Sequence, residues 1–553
     1  MEDIKRILTQ FKEVKGARQN FDTYYQTLHD IFYVEAENIN KAYYPGTELD
    51  FTDLFDTQTL QSADVLTAGI TNYLTPSTSK WFAIRTKNPM KMESKVVMTY
   101  LKDVEAEVYH VLNNSNFYSM IPEFFKGSGV YGTQTMLTED DVEDVLRFYA
   151  LPIKRVWHVV DARGKVAEYY IGFEYTAVEA SLKFGIDNPL LSEGIREDFK
   201  EHRNPDKKYD FLLYIYPRAV REAGKKDAKN MPIGAKWIEI AGKDHDGGTV
   251  VLDSGYNEMP AFTHRFYTRP GVAQGYSPAM KALPNARYLN VMAETILRSS
   301  MKQADPAYAI PDNAFVLPFN QNPGANNYYN RNKLNKDDIF ALGVGGNVKL
   351  NMEMMNYHAQ QLRDIMFTDV FLAFQNLTKQ MTVPEVQERI AEKMTLLGSA
   401  VGRYLSDVLS PSIHRVITSL ARADRLPPMP RELGEDPRYE LEFVSALAKA
   451  QKMGELNTLT TALQLGAEIA SVKPEALDKI DGDAAMDVVW GITGADVSIL
   501  RDEKTVRKIR KARAKQQEIV DKGQIMGAGA EIGEKVASIE QKQAQARAAG
   551  VGV

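Results

Sequence analysis

The sequence predicts an α+β fold, and three observations carry that reading. Strand-like runs cluster in the first half without the repeated strand–helix alternation of a parallel doubly wound sheet. From Ser277 onward, apolar residues recur at helical spacing over long stretches. Between those stretches lies an insertion, residues 306–350, rich in Asn, Pro, Gly and Tyr and poor in periodic positions.

Ile4, Leu8, Phe11, Leu28 and Phe32 give the first 40 residues a helical stripe. A second helical region runs from about Phe55 to Leu74, ends at Pro76 and leads into the strand WFAIRT. Residues 93–126 read as helix again. Strands follow in TQTMLTED, LRFYALPI and WHVVDARGKVAEYYIGFEY, where DARGK (161–165) is a hairpin turn. YDFLLYIYPRAV, AKWIEIAG, GTVVLDSG and AFTHRFYTR add more, so a mixed or antiparallel sheet is expected. Ser277-Pro278 and then Pro284 start short helical segments, and the pattern continues through LNVMAETILRSSMKQ until Asp305-Pro306 stops it. A helix is expected from about Met352 to Gln375. The next has a stripe at Val386, Ile390, Met394, Leu397, Val401, Leu405 and Val408, with Pro411 inside it as a kink or break. After LPPMP (426–430), YELEFVS reads as a strand and shorter helices run to about residue 500. The tail starts basic, in RDEKTVRKIRKARAK, and continues in Ala, Gly and Gln.

Composition narrows the function. The chain has 553 residues, 44% hydrophobic and 25% charged, as a soluble globular protein does. It has no cysteine, which excludes disulfides and thiolate metal sites and makes a reducing compartment the natural reading. The N-terminal MEDIKRILTQFKEV is charged and amphipathic, without a signal-peptide core, and no apolar run is long enough to cross a bilayer. A net charge of −6 argues against gripping nucleic acid over a broad basic surface. It leaves room for a protein that lets nucleic acid pass.

Motifs for chemistry are absent or mismatched. GSGVYG (127–132) has the glycine spacing of a dinucleotide fold, but helix precedes it and strand follows, the reverse of what that fold needs. It reads as a glycine-rich helix end turning into a strand. GVGGNVK (343–349) lacks P-loop spacing. The eight histidines form no metal-ligand pattern, no Gly-x-Ser-x-Gly elbow occurs, and TEDDVED (138–144) reads as a solvated turn. No catalytic residue, metal or cofactor is expected, and the basic run 501–515 either touches nucleic acid or is a solvated helix face.

One short stretch stands out by its structure. In NLTKQMTVPEVQERI (376–390), Thr382 is placed to N-cap a helix, Pro384 fits its first turn and Glu385 completes a capping box. A polar loop that carries one charge, Lys379, is thereby fixed against the start of a long helix.

Several segments together resemble the head-to-tail connector (portal) proteins of short-tailed, T7-like bacteriophages, over nearly the whole chain. LTAGITNYLTPSTSKWFAI (66–84) looks like that family's early helix, and residues 146–185 are similar to its sheet region. GYSPAMKALPNARYLNVMAETILRSSMKQADPAYAIPDN (275–313) looks like a first stem helix entering the clip, which NPGANNYY (322–329) resembles. QMTVPEVQERIAEKMTLLGSAVGRYLSDVLSPSIHRV (380–416) is the strongest match, followed by FVSALAKAQK (443–452). AQGYSP departs from the pattern, since relatives tend to carry an arginine after Tyr-Gly.

The resemblance implies a ring-forming portal fold. It has a mixed α/β wing (1–274), a first stem helix (275–305), a small α/β clip (306–350) and a second stem helix (351–375). A tunnel loop (376–381), a long kinked helix (382–436), a wing strand with crown helices (437–500) and a helical tail (501–553) complete it. It implies a homo-oligomer, usually a dodecamer, at one capsid vertex of the virion, assembled in the host cytoplasm. Its implied partners are double-stranded DNA in the channel, terminase, major capsid and scaffold proteins, and tail adaptor or tail proteins, with no membrane. Asn376, Lys379 and Gln380 then belong to the tunnel loop, and Thr382 and Glu385 anchor it. Lys379 either brushes the DNA backbone or faces a neighbouring subunit's carboxylate. Gly398 and Gly402 allow close backbone approach between neighbours, or simply tolerate a bend near Pro411. The alternatives from other classes are a nucleotide-dependent enzyme using GSGVYG and a tail adaptor that binds such a ring.

Overall fold

The computed structural model describes residues 2–305 except 41–48, 142, 186, 223, 226 and 242–246. Beyond these it describes 308–309, 320, 328, 340–341, 348–372, 397–434, 439–443, 459–466 and short helical pieces between 482 and 545. The chain divides into two compact units, one comprising 1–84, 102–428 and 441–465, the other 85–101, 429–440 and 466–553. In the second unit, Lys91 Nζ donates to the Leu433 carbonyl (2.9 Å) and the hydroxyls of Tyr100 and Tyr439 meet at 3.0 Å.

The elements run α1 (Glu2–Phe32), α2 (Gln58–Leu74), β1 (Phe82–Thr86), α3 (Lys95–Asn114), α4 (Phe117–Tyr131), β2 (Thr133–Asp141), β3 (Val145–Leu151) and β4 (Val156–Val160). Next come β5 (Val166–Thr176), α5 (Ala177–Phe184), α6 (Glu193–Lys200), β6 (Lys208–Pro217), β7 (Ile233–Ala241), β8 (Gly247–Tyr256) and β9 (Ala261–Arg265). Then follow α7 (Pro278–Ala304), the two-residue strands β10 (Tyr308–Ala309) and β11 (Phe340–Ala341), α8 (Val348–Ile365) and α9 (Thr368–Leu372). Helix α10 (Gly398–Arg403), a π-helical turn (Tyr404–Leu409), α11 (Ser410–Arg422) and β12 (Tyr439–Phe443) complete the described order.

Five strands form a meander in the order β4-β5-β6-β7-β8, and three form a second sheet in the order β3-β2-β9. Their pairings are antiparallel, as the missing strand–helix alternation implies. The run FLLYIY in β6 is apolar throughout because both faces of the meander are covered. Phe211, Leu213 and Ile215 pack with Ala177 and Ala180 of α5 and Ile195 of α6. Leu212 and Tyr214 pack with Ile7, Leu8 and Phe11 of α1. Further along α1, the buried Arg18 stacks 4.4 Å from Trp157 and donates to the carbonyls of Ile153 (2.7 Å) and Lys154 (3.1 Å), with Asp22 at 2.8 Å balancing its charge.

GSGVYG is indeed a helix end. Gly132 caps α4 at φ 75°, and a Cβ there would sit 2.6 Å from the Tyr276 backbone, so only glycine fits both the left-handed turn and the close approach. The strand β2 begins at the next residue, which is why the dinucleotide spacing is coincidental.

Three expectations need correction. Pro284 opens no separate segment: α7 runs through it from Pro278 to Ala304. Proline leaves the carbonyl of Met280, four residues back, without its helical donor, and the Tyr24 hydroxyl supplies one at 3.3 Å. The helix expected over 352–375 is two, broken at Phe367, whose φ is 58°. The stretch 138–144 is not all turn, since Thr138–Asp141 belongs to β2 and Asp140 accepts from Arg422 (3.1 Å).

The start of α7 is fixed by Ser277, which is fully buried. Its hydroxyl accepts from Met280 N (2.9 Å) and donates to the Val130 carbonyl at the end of α4 (2.6 Å). Ser277→Ala removes the cap and strands that carbonyl, so a destabilisation of about 1–2 kcal/mol is expected. The urea unfolding midpoint reads it, and an unchanged midpoint would show the cap to be dispensable.

Candidate functional site

Asn376, Lys379, Gln380, Thr382 and Glu385 lie outside the described residues, as does 373–396 as a whole. The structure instead gives the two anchors of that segment. On the entry side, α7 and α8 form an antiparallel pair, with His358 Nδ1 2.9 Å from Asn285 Oδ1 and its ring 3.9 Å from that of Tyr288. Helix α8 stops where Phe367 turns left-handed, a conformation that costs a non-glycine residue about 1–2 kcal/mol. A polar cluster bridges the break: Gln360 Nε2 donates to Asp369 Oδ2 (2.7 Å), and Arg363 Nη2 donates to Gln360 Oε1 (2.7 Å). Helix α9 then presses the Phe371 ring onto Gly69 of α2, where a Cβ would come within 2.2 Å of the ring, and against Tyr73 at 5.9 Å.

On the exit side, α10, the π-helical turn and α11 run without a break from Gly398 to Arg422. Pro411 sits in the first turn of α11, and the π-helical turn Tyr404–Leu409 comes directly before it. Widening the turn is how a helix tolerates a proline ring pressed toward the carbonyl four residues back. Tyr404, fully buried, stacks on His264 of β9 with ring centres 3.5 Å apart and meets Phe125 of α4 edge-on at 5.0 Å. Arg403 Nη1 donates to the Phe266 carbonyl (2.6 Å). One turn past the proline, Arg415 is fully buried, with Nη2 3.5 Å from Asp140 and Nη1 3.7 Å from Glu258. Burial lowers the Arg415 pKa and raises that of Glu258, each opposed by the other's charge.

These contacts seat α9, α10 and α11, and among the described residues they assemble no reaction centre. Ser128 Oγ lies 2.6 Å from His264 Nδ1, but both side chains are fully buried and burial keeps the imidazole neutral, so no substrate reaches the pair. Among the described residues no three His, Cys, Asp or Glu side chains cluster as metal ligands, and no helix is long and apolar enough to cross a membrane.

A family model described as bacteriophage head to tail connecting protein matches residues 4–500. The chain belongs to that family. The portal protein of Salmonella phage epsilon15 is 27% identical over 541 residues, covering 97% of this chain and 96% of the relative. The probable portal protein of Bordetella phage BPP-1 is 26% identical over 557 residues, covering 98% and 97%.

In this head-to-tail connector, sequence reading found the proline but missed the residues that seat the helix around it. Arg415 had a signal: it shares a helix face with Ser412, Val416 and Ser419, all buried, where an unpaired charge is not tolerated. The His264–Tyr404 stack had none, because its partners are 140 positions apart and meet only through the fold.

Two buried histidines make the connector's stability pH-dependent. Burial holds His158 down to about 4, against its hydrogen bond to the Ala273 carbonyl, and holds His264 well below its usual range. Unfolded, both bind protons near pH 6.5, so stability is full above that and falls as pH drops toward 4. His158 alone is expected to remove about 2 kcal/mol by pH 5. Urea titrations at pH 7 and 5 measure this. Equal midpoints would refute it, and His158→Gln, neutral at both pH values, should reduce the difference.

Proposed function

We propose that this chain is a phage portal subunit. It forms a ring, a dodecamer by the family's habit, at one capsid vertex and serves as the conduit for double-stranded DNA in packaging and ejection. The observation that carries this reading is the match to the connector family and to two portal relatives over almost the entire length of both chains. Terminase docks on this ring during packaging and tail proteins take its place later, with capsid and scaffold proteins around it; assembly takes place in the host cytoplasm.

The geometry supports a ring. The α7–α8 pair exposes Val291, Leu297, Met301, Met352, Met354 and Tyr357 to between 41% and 61%. So many large apolar side chains on one helical hairpin mark a surface that another chain covers. In the domain reading, this hairpin is the stem, β10 and β11 pair at the base of the clip, and the loop 376–381 faces the channel.

Duplex DNA offers about one phosphate per 1.7 Å, and every neutralised phosphate adds affinity. A chain of net charge −6 with one lysine on its tunnel loop suits brief contact without sequence readout. Thr382 and Glu385 cap the following helix and set how far the loop projects, a contribution on the order of 1 kcal/mol per copy.

Negative-stain electron microscopy of the purified protein should reveal rings with a central channel and about twelve-fold symmetry, the family's habit under heterologous closure. Leu297→Glu with Met301→Lys should reduce them sharply without altering the helical signal in circular dichroism. Only monomers and small compact oligomers for the unaltered chain, across salt conditions, would sink the portal reading. Lys379→Ala particles should lose packaged genome under osmotic shock more readily than unaltered ones. Equal retention of full-length genomes would remove the lysine from the mechanism.

A further inference from the structure

Two opposite faces of α7 carry surfaces that complement each other. On one, Tyr267 and Tyr276 form an isolated antiparallel bridge through backbone hydrogen bonds of 2.9 and 2.8 Å, so their side chains leave on the same side. Lys281 Nζ lies 3.9 Å from the centre of the Tyr267 ring, and the Arg269 guanidinium 3.9 Å from that of Tyr276. Both cations are exposed, and neither has an ion-pair partner among the described residues. Arg403 stands close by, its guanidinium donating to the Phe266 carbonyl.

Asn290 follows Lys281 by nine positions, about two and a half turns at 3.6 residues per turn, and so points the opposite way. Its Oδ1 accepts from Phe55 N (2.7 Å) and its Nδ2 donates to the Asp53 carbonyl (2.8 Å). The segment it holds, 49–56, reads LDFTDLFD. Leu49, Phe51 and Phe55 there are 49%, 44% and 41% exposed, and Asp53 is exposed among them.

We propose that segment 49–56 of one copy docks on the Tyr267–Tyr276 surface of the next copy in the ring. The contact rests on the ring reading above and supplies it with a heterologous joint, two different surfaces meeting head to tail. Phe51 and Phe55 cover the tyrosine rings, while the aspartates reach Arg269 and Lys281. A second copy fits better than nucleic acid. Two unpaired cations neutralise too few phosphates to hold a duplex, and the exposed phenylalanines need an apolar partner.

Charge reversal tests it, with ring fraction read by sedimentation velocity and negative-stain microscopy at physiological salt. Arg269→Glu with Lys281→Glu should lower the ring fraction at least tenfold, and Asp50→Lys with Asp53→Lys should do likewise. All four together should restore rings to at least half the unaltered level, since a heterologous joint carries both reversed surfaces. Circular dichroism should be the same for all of them; Lys281→Glu adds an acid near a helix start, where it is tolerated. Normal rings from the Arg269/Lys281 variant, or no restoration in the combined one, would overturn the contact. Normal rings that have lost binding to a duplex DNA fragment would overturn it too, and give the patch to DNA. If the unaltered chain forms no rings, the ring reading falls and this contact with it. If it does and the reversals have no effect, only the contact falls.

Discussion

The structure depends on how firmly α7 is joined to the sheet-bearing part of the chain. Four short contacts make that joint. Ser277 bonds the Val130 carbonyl, Gly275 N donates to Thr133 Oγ1 (2.7 Å), Phe266 N donates to the Gly132 carbonyl (2.9 Å), and Tyr25 donates to Gln274 (3.2 Å). Each partner is a backbone group or a buried polar atom that would otherwise be stranded away from water. Because α8 packs along α7 and α9 follows α8, an error of register here would propagate through α9 to residue 372. Gly132 and Gly275 permit the approach, since a side chain at either would strike backbone within 3 Å.

Backbone accounting also explains how the chain stays helical through Pro284 and Pro411. In α7 the carbonyl freed by Pro284 borrows the hydroxyl of Tyr24, so α1 and α7 become linked by a defect. Around Pro411 the preceding turn widens to a π-helix instead, and the displaced Tyr404 fills the space against His264 and Phe125. The first solution keeps a long helix usable as a rod. The second sets the π-helical turn and α11 against the β3-β2-β9 sheet.

Charge is distributed to match. The buried arginines, Arg18 and Arg415, meet carboxylates and carbonyls within the fold and hold α1 and α11 in place. The exposed charges are mostly balanced, and the chain as a whole is acidic. A conduit for DNA is best lined sparsely with cations, because a polyanion that is gripped cannot slide. Among the described residues, α7 and α8 expose a run of large apolar side chains, Val291, Leu297, Met301, Met352, Met354 and Tyr357.

Most of the elements were legible from sequence, because their causes are local, although α5 and α6 were not read. The antiparallel strands between 133 and 265, the long helices and the helix-to-strand turn at Gly132 all follow from residues within a few positions of each other. The family too was legible, since its motifs run almost the whole length. Local rules failed at Pro284, at Phe367 and over Thr138–Asp141. A proline within a helical stripe reads as a break until a hydroxyl 260 positions earlier supplies the missing donor. A phenylalanine reads as helix until the chain turns left-handed there, and an acidic run reads as turn until its first residues, Thr138–Asp141, pair with β3. Sequence determined which segments are helix and strand and what kind of protein this is. Only the tertiary structure decided where helices stop and which charges are buried, because distant partners supply the energies there.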